Sequence, residues 1–288
     1  MSEEVTTNRR SKDSVFTKLF SDVDNVLALY KDLHPEDTAV KKEDIEIQTL
    51  NTVFVNDIFN DLGFIVNEGD KARLVMLVEA QSTWNPNMTL RMLIYLAETY
   101  RRYVKESNQS EHSSKRVHLP KPELYIVYSG GRKDVPGEIS FNEDFFGGEA
   151  PIDLRVKILS VINNETLYGQ YIGFCKVYDE QRKLYDNSIK CIEETIRICL
   201  ERGYLVAFLS IYKREVVTMM SELFDEQAQR EQYEIARRAE DRAEGRVEGM
   251  LKTLVGLVKK GVITIVQAAD EASMSVSEFE ALTGLRRV

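Results

Sequence analysis

Soft metal ligands are scarce in this chain of 288 residues: it has three cysteines, Cys175, Cys191 and Cys199, and three histidines, His34, His112 and His118. No C-x-x-C pair and no ligand spacing joins them, so neither a disulfide framework nor a zinc site is expected. A reducing cytoplasm is the expected compartment. No run of about eighteen apolar residues occurs and no charged-then-apolar leader opens the chain, so neither membrane insertion nor export is expected. Gly130-Gly131 is not followed by the G-K-[ST] of a phosphate-binding loop, which excludes that nucleotide-binding device. Positive charge is also short, the net charge being −9. Backbone affinity for nucleic acid comes from clustered Lys and Arg, so this acidity weighs against such a partner. The charge is uneven, however. Arg91, Arg101, Arg102, Lys105, Lys115, Arg116 and Lys121 lie together in sequence, while acids accumulate from Glu215 onward, and a local basic surface can coexist with an acidic whole.

An apolar fraction of 43% indicates a globular chain, long enough for one substantial core with an appendage or for two modest domains. The segment from Leu74 to Gln81 is apolar on both faces, as in a central strand covered on two sides. Alternation places Glu79 and Gln81 on the face of Val75 and Leu77, with Leu74, Met76, Val78 and Ala80 opposite. Leu62 to Val66 reads as a second strand, and the intervening Asn67-Glu68-Gly69-Asp70-Lys71 as a hairpin loop. A hairpin centred on Asp70 sets Ile65 opposite Val75, Gly63 opposite Leu77 and Asp61 opposite Glu79. Two carboxylates so placed repel unless a cation neutralises them. A hard divalent ion would suit Asp61, Glu79 and an adjacent main-chain carbonyl. Spacing alone leaves a second reading open, with Asp61 starting a solvated edge strand and Glu79 closing an apolar strand at the surface.

A helix is expected from near Pro86, with Leu93, Leu96, Ala97, Tyr100 and Val104 as its buried stripe. On its other face Arg91, Tyr95, Glu98 and Arg102 recur at steps of three and four. Arg91 suits a phosphate contact through its planar fork, whereas Arg102 also reads as the ion-pair partner of Glu98. Asp13 precedes Val15, Phe16, Leu19 and Phe20 at helical spacing and reads as an N-cap. Further on, Glu106 to His118 reads as a loop, Leu124 to Tyr128 and Leu154 to Ile162 as strands, and Asp179 to Glu201 as one long helix burying Leu184, Ile189, Ile192, Ile196 and Leu200 before Gly203. Arg155 and Lys157 share a solvated strand face.

Three regions are expected: 1–225 as the main domain, 226–250 as a charged helical arm rich in Glu, Gln, Arg and Ala, and 251–288 as a small helical tail. Ala239, Ala243, Val247, Leu251, Leu254 and Val258 form a seam that fits either a second copy, giving a homodimer, or the chain's own tail. The tail reads as two short helices, Thr264 to Ala272 and Ser275 to Leu282, with a Ser275/Glu278 capping box. Its helix-turn-helix look is offset by Glu278 and Glu280, the wrong sign for a DNA groove.

Taken together, Asp13 to Ser21, Leu77 to Met88 and Leu90 to Tyr95 resemble the recombination-promoting nuclease (Rpn) family, whose members are often labelled transposases and which belongs to the PD-(D/E)XK nuclease superfamily. The resemblance covers roughly the first three quarters of the chain and is most specific from Glu79 to Met88. It implies an α/β fold with an αβββαβ core, a mixed sheet flanked by helices, and Mg²⁺- or Mn²⁺-dependent endonuclease cleavage of DNA. Asp61 and Glu79 match the metal-binding acids, with the Ala80 carbonyl completing the partial shell. Gln81 stands where the superfamily usually has Lys, as it does in the Rpn family. A neutral amide can position water but cannot act as a base. Asp13 is the nearest match to an acid that often joins the site from the first helix. The competing expectation, raised by Gln81, the acidic surface and the large C-terminal segment, is a catalytically weak or inactive nuclease fold that binds DNA or protein.

Overall fold

The computed structural model describes residues 3–48, 62–69 and 71–285. Its centre is the hairpin of β2 (Leu62–Glu68) and β3 (Lys71–Gln81). Gly69 adopts a left-handed φ of +58° at the turn, a conformation that costs glycine least. Gly63 pairs with Leu77 and Ile65 with Val75, the register expected from sequence. Between Val66 and Asn67 the ladder slips: Val66 pairs with Leu74 and Asn67 with Ala72, leaving Arg73 as the extra residue of a β-bulge. A bulge re-aims side chains, and Arg73 reaches Tyr30 and Asp37.

The six-stranded mixed sheet has the order β1-β2-β3-β4-β6-β5. The short β1 (Ile45–Ile47) adds antiparallel to β2. β4 (Lys121–Tyr128) and β6 (Arg155–Leu159) continue parallel to β3, and β5 (Glu138–Ser140) closes the edge antiparallel. Among the described residues up to Tyr128 the element order is two α-helices, a short 3₁₀ helix (Lys42–Asp44), three strands, a helix and a strand, compatible with an αβββαβ arrangement.

Each sheet face has its own core. Met76, Val78 and Ala80 pack with residues of α1 (Glu3–Leu19), α2 (Val23–Leu33), α5 (Leu167–Tyr185), α6 (Ile189–Arg202) and the first part of α7 (Val206–Lys259). Val75, Leu77, Leu124 and Ile126 pack with α3 (Met88–Glu106). Burying a large aliphatic or aromatic side chain contributes about 1.5–3 kcal/mol, so these faces fix which side of β3 its polar residues take. A six-residue α4 (Phe141–Phe146) follows β5.

Several expectations are corrected. Asp13 lies inside α1 and is not an N-cap; α2 is capped by Asp22, which accepts from the Asp24 N–H. The helix expected from Asp179 to Glu201 is two helices. The chain turns at Asp186, where φ is +50°, and Ser188 caps α6. Leu184 and Ile189 at that break are exposed, 69% and 55%. The strand expected to reach Ile162 ends at Leu159, with Val161 and Ile162 exposed, while Arg155 and Lys157 share the exposed face as expected. Burial pushes the Cys175, Cys191 and Cys199 thiols up, to about 11, 11 and 12, which leaves them protonated at neutral pH.

The chain divides into compact units at Met1–Phe224 and Asp225–Val288. α7 runs unbroken through Lys259, and Gly261 follows it with φ +69°. In the second unit Leu254 is buried with Ala268, Ala269, Ala272 and Phe279, and Leu251, Val255 and Val258 pack against them. These are residues of α7, α8 (Ile265–Glu271) and α9 (Val276–Thr283). The C-terminal part of the expected seam thus covers the chain's own tail. Both short helices start with capping boxes, Thr264/Gln267 and Ser275/Glu278. Among the described residues no helix is long and apolar enough to cross a membrane.

Candidate functional site

Glu79 and Gln81 sit at the carboxyl end of β3, where the parallel strands β3 and β4 run out together and Gln81 pairs with Tyr128. Alternation along the strand puts both side chains on the α3 face, yet they are almost fully enclosed, with exposures of 1% and 3%. An enclosed carboxylate must be partnered or surrender its charge. The partner comes from α3: Arg91 Nη2 donates to Glu79 Oε1.

The guanidinium is itself held. Tyr95 Oη accepts from Arg91 Nη2 at 2.7 Å and Nε at 3.1 Å, and Met88 Sδ lies 3.5 Å from Nη1. Met88, Arg91 and Tyr95 follow at steps of three and four, so one helix face carries the whole cradle. This corrects the expected orientation of α3. Leu96 and Val104 are buried as expected, but the stripe also takes in Met92, Tyr95 and Thr99, while Ala97 is exposed. Tyr95 faces the sheet because its ring packs with Val75 and Leu77 while its hydroxyl reaches Arg91, the usual compromise of a buried tyrosine.

Of the other expected site residues, Arg102 is exposed and pairs with Glu106 at 2.8 Å. Glu98, its expected partner, is held by Arg101 through two contacts of 2.9 and 2.6 Å. Arg102 thus stays with its own helix surface. Asp13 is on α1, whose Val15, Phe16 and Leu19 pack with the opposite face of β3 from Glu79. Ala80 lies between the two site residues with its side chain in that opposite core. Asp61 lies outside the described residues; the ladder is described as far as Leu62 opposite Val78.

Gln81 has two distinct ends. Its main-chain carbonyl accepts from the Ser129 N–H at 2.8 Å, extending the β3–β4 pairing by one step. Its side-chain Nε2 is buried with no hydrogen-bond partner among the described residues. Such an amide costs about 1–3 kcal/mol and calls for an explanation, such as a ligand it is kept for. Glu79 oxygens, the Gln81 amide oxygen and a main-chain carbonyl are hard donors of the kind that suits Mg²⁺ or Mn²⁺. The Arg91 guanidinium already neutralises the Glu79 carboxylate.

Sequence reasoning missed a neighbouring group. Trp84, in the turn between β3 and α3, meets the Tyr128 ring edge-on with centroids 5.7 Å apart. The Arg132 guanidinium lies 4.2 Å from the Trp84 ring centroid, and the Arg132 N–H donates to Tyr128 Oη at 3.3 Å. Gly130 permits this closeness, since a Cβ there would lie 2.2 Å from Tyr128 Oη and 2.6 Å from the Ser82 carbonyl. Gly130-Gly131 was the available signal, though the spacing from Trp84 to Arg132 carries none. No protein-family model, curated protein or solved structure matches the chain.

Proposed function

We propose that this chain is a divalent-metal-dependent DNA endonuclease that hydrolyses phosphodiester bonds, with Glu79, Gln81 and Arg91 at its centre. The observation that supports this most is the enclosed Glu79 carboxylate at the carboxyl end of β3, held by an arginine and set on the same face as a buried glutamine amide. Asp61, Glu79 and the Ala80 main-chain carbonyl would hold Mg²⁺ or Mn²⁺, which supplies Lewis-acid stabilisation of the phosphate and lowers the pKa of a coordinated water.

The protein's own groups then take these roles. Arg91, released from Glu79 when another cation takes that place, presents its fork to a phosphate oxygen. Tyr95 keeps the guanidinium oriented through the change, because it accepts from Nε as well as from Nη2. Gln81 Nε2 gains its missing acceptor from the phosphate or the attacking water, which positions the nucleophile without serving as its base. The resemblance of the Glu79 to Met88 segment links this activity to recombination or mobile elements.

The Glu79–Arg91 pair also favours a second reading, a nuclease fold whose acid is permanently neutralised and which serves as a binding module. Supercoiled-plasmid nicking at low salt in Mg²⁺, Mn²⁺, Ca²⁺ and chelator decides between them. Nicking that needs Mg²⁺ or Mn²⁺ and disappears in Asp61→Ala and Glu79→Ala is the expected result. Unchanged nicking in the double variant would end the proposal, and inactivity in every metal would favour the binding module.

A further inference from the structure

Building on the nuclease reading, we infer that Trp84 and Arg132 form a stacking platform for an unpaired nucleotide beside the cleavage site, so that the substrate is DNA with a single-stranded stretch. Trp84 follows Gln81 by three residues, and Arg132 leaves β4 just past Tyr128, the register partner of Gln81. The platform therefore stands at the same sheet end as Glu79, and Trp84 packs with the core of the same sheet face.

Arg132 contrasts with the surface arginines that are paired. Arg101, Arg102, Arg155 and Arg197 each pair with a carboxylate. Arg132 is exposed, forms no ion pair among the described residues, and lies over an indole instead. Its neighbour Lys133 is exposed too. An indole capped by a guanidinium offers a flat surface to a base, and the adjacent positive charge offers a contact to that nucleotide's phosphate. Bases inside a duplex are already stacked on each other, so only an unpaired one gains from the surface. Stacking reads no hydrogen-bonding edge, and little base preference should follow.

Trp84 is the chain's one tryptophan, so its fluorescence reports this position directly. The wild-type protein is titrated in Ca²⁺ with oligothymidylate and, separately, with a hairpin duplex of equal length. Saturable quenching of Trp84 by the single strand, with binding at least about fivefold tighter than to the duplex, is the expected result. Arg132→Ala and Trp84→Phe, followed by anisotropy of labelled oligothymidylate, should each lose most of that preference while duplex binding changes little. Arg132 is exposed, so its variant keeps the test sound if Trp84→Phe fails to fold. Equal binding of both probes without quenching, absence of binding, or an equal loss on both probes in the variants would overturn the platform. Cleavage is not needed for the readout: quenching without nicking would retain the platform and remove the nuclease reading, whereas nicking without strand preference would do the reverse.

Discussion

The β3–β4 pair carries a polar cluster at each end, and the two are built differently. At the amino end the bulge residue Arg73 donates to Tyr30 Oη at 2.8 Å and to Asp37 at 2.6 Å, and Tyr30 Oη donates to Asp37 at 2.7 Å. His34 stacks on Tyr30 and reaches Glu123 at 2.9 Å, which also accepts from Tyr125 Oη at 2.7 Å. These contacts join α2 and its following loop to two strands. At the carboxyl end Glu79, Arg91 and Tyr95 are linked, but the buried Gln81 amide has no acceptor among the described residues. A network whose donors and acceptors answer one another rigidifies a fold, while an incomplete one costs stability and makes its place a candidate site.

The largest expected difference between the ends is in activity. Glu79→Ala should lower Mg²⁺-dependent nicking by about 10²-fold or more, the scale on which a group stabilising transition-state charge acts, and Tyr30→Phe should leave it within twofold. Plasmid nicking measured on both variants checks this, and equal losses would remove the distinction. The amino end should show its effect in stability instead: Tyr30→Phe removes one buried hydroxyl that donates and accepts, costing about 1 kcal/mol, read as the shift in urea midpoint at unchanged slope.

Acid should also act at the amino end. The hydrogen bond from Tyr30, and then Arg73, hold the Asp37 carboxyl below the usual carboxylate range. Burial alone would raise Glu123, but the Tyr125 hydrogen bond, His34 and Lys121 together leave it lowered as well. A folded-state pKa below the unfolded one contributes stability that is complete above the ordinary carboxylate value of about 4 and is lost as pH falls through the lowered value. The melting temperature should therefore drop below about pH 4, and Asp37→Asn should flatten part of that dependence. A wild-type slope retained in full by the variant would remove Asp37 from the account.

Much of this contrast was legible before any coordinates. Gly69 and its polar neighbours fix the hairpin turn, and period-two alternation then sets Gly63 opposite Leu77 and places Glu79 with Gln81. Alternation also hid something: carried back along β3 it would keep Arg73 with Val75, whereas the bulge turns it to Tyr30. In α3 the spacing of Tyr95 with Arg91, Glu98 and Arg102 sets it on the polar face, but its ring is buried. Asp186-Asn187-Ser188 did carry the break between α5 and α6, a turn followed by a cap, but apolar residues on either side masked it. The meeting of Trp84 and Arg132 depends on β3 and β4 ending side by side, and no local pattern encodes a parallel pairing across a helix.

The smallest expected effect is also the most discriminating. Gln81→Met replaces the amide by an apolar side chain of similar length that wants no hydrogen bond. If the Gln81 side chain served the fold, the change would cost stability. With Nε2 buried and lacking an acceptor among the described residues, its removal should instead be neutral or raise stability by up to about 1 kcal/mol, while nicking falls because nothing then positions the attacking water. Opposite signs for stability and activity are what a residue kept for function produces. A variant both less stable and fully active would instead make Gln81 part of the scaffold, and the carboxyl end of the sheet would then differ from the amino end only in how its acid is paired.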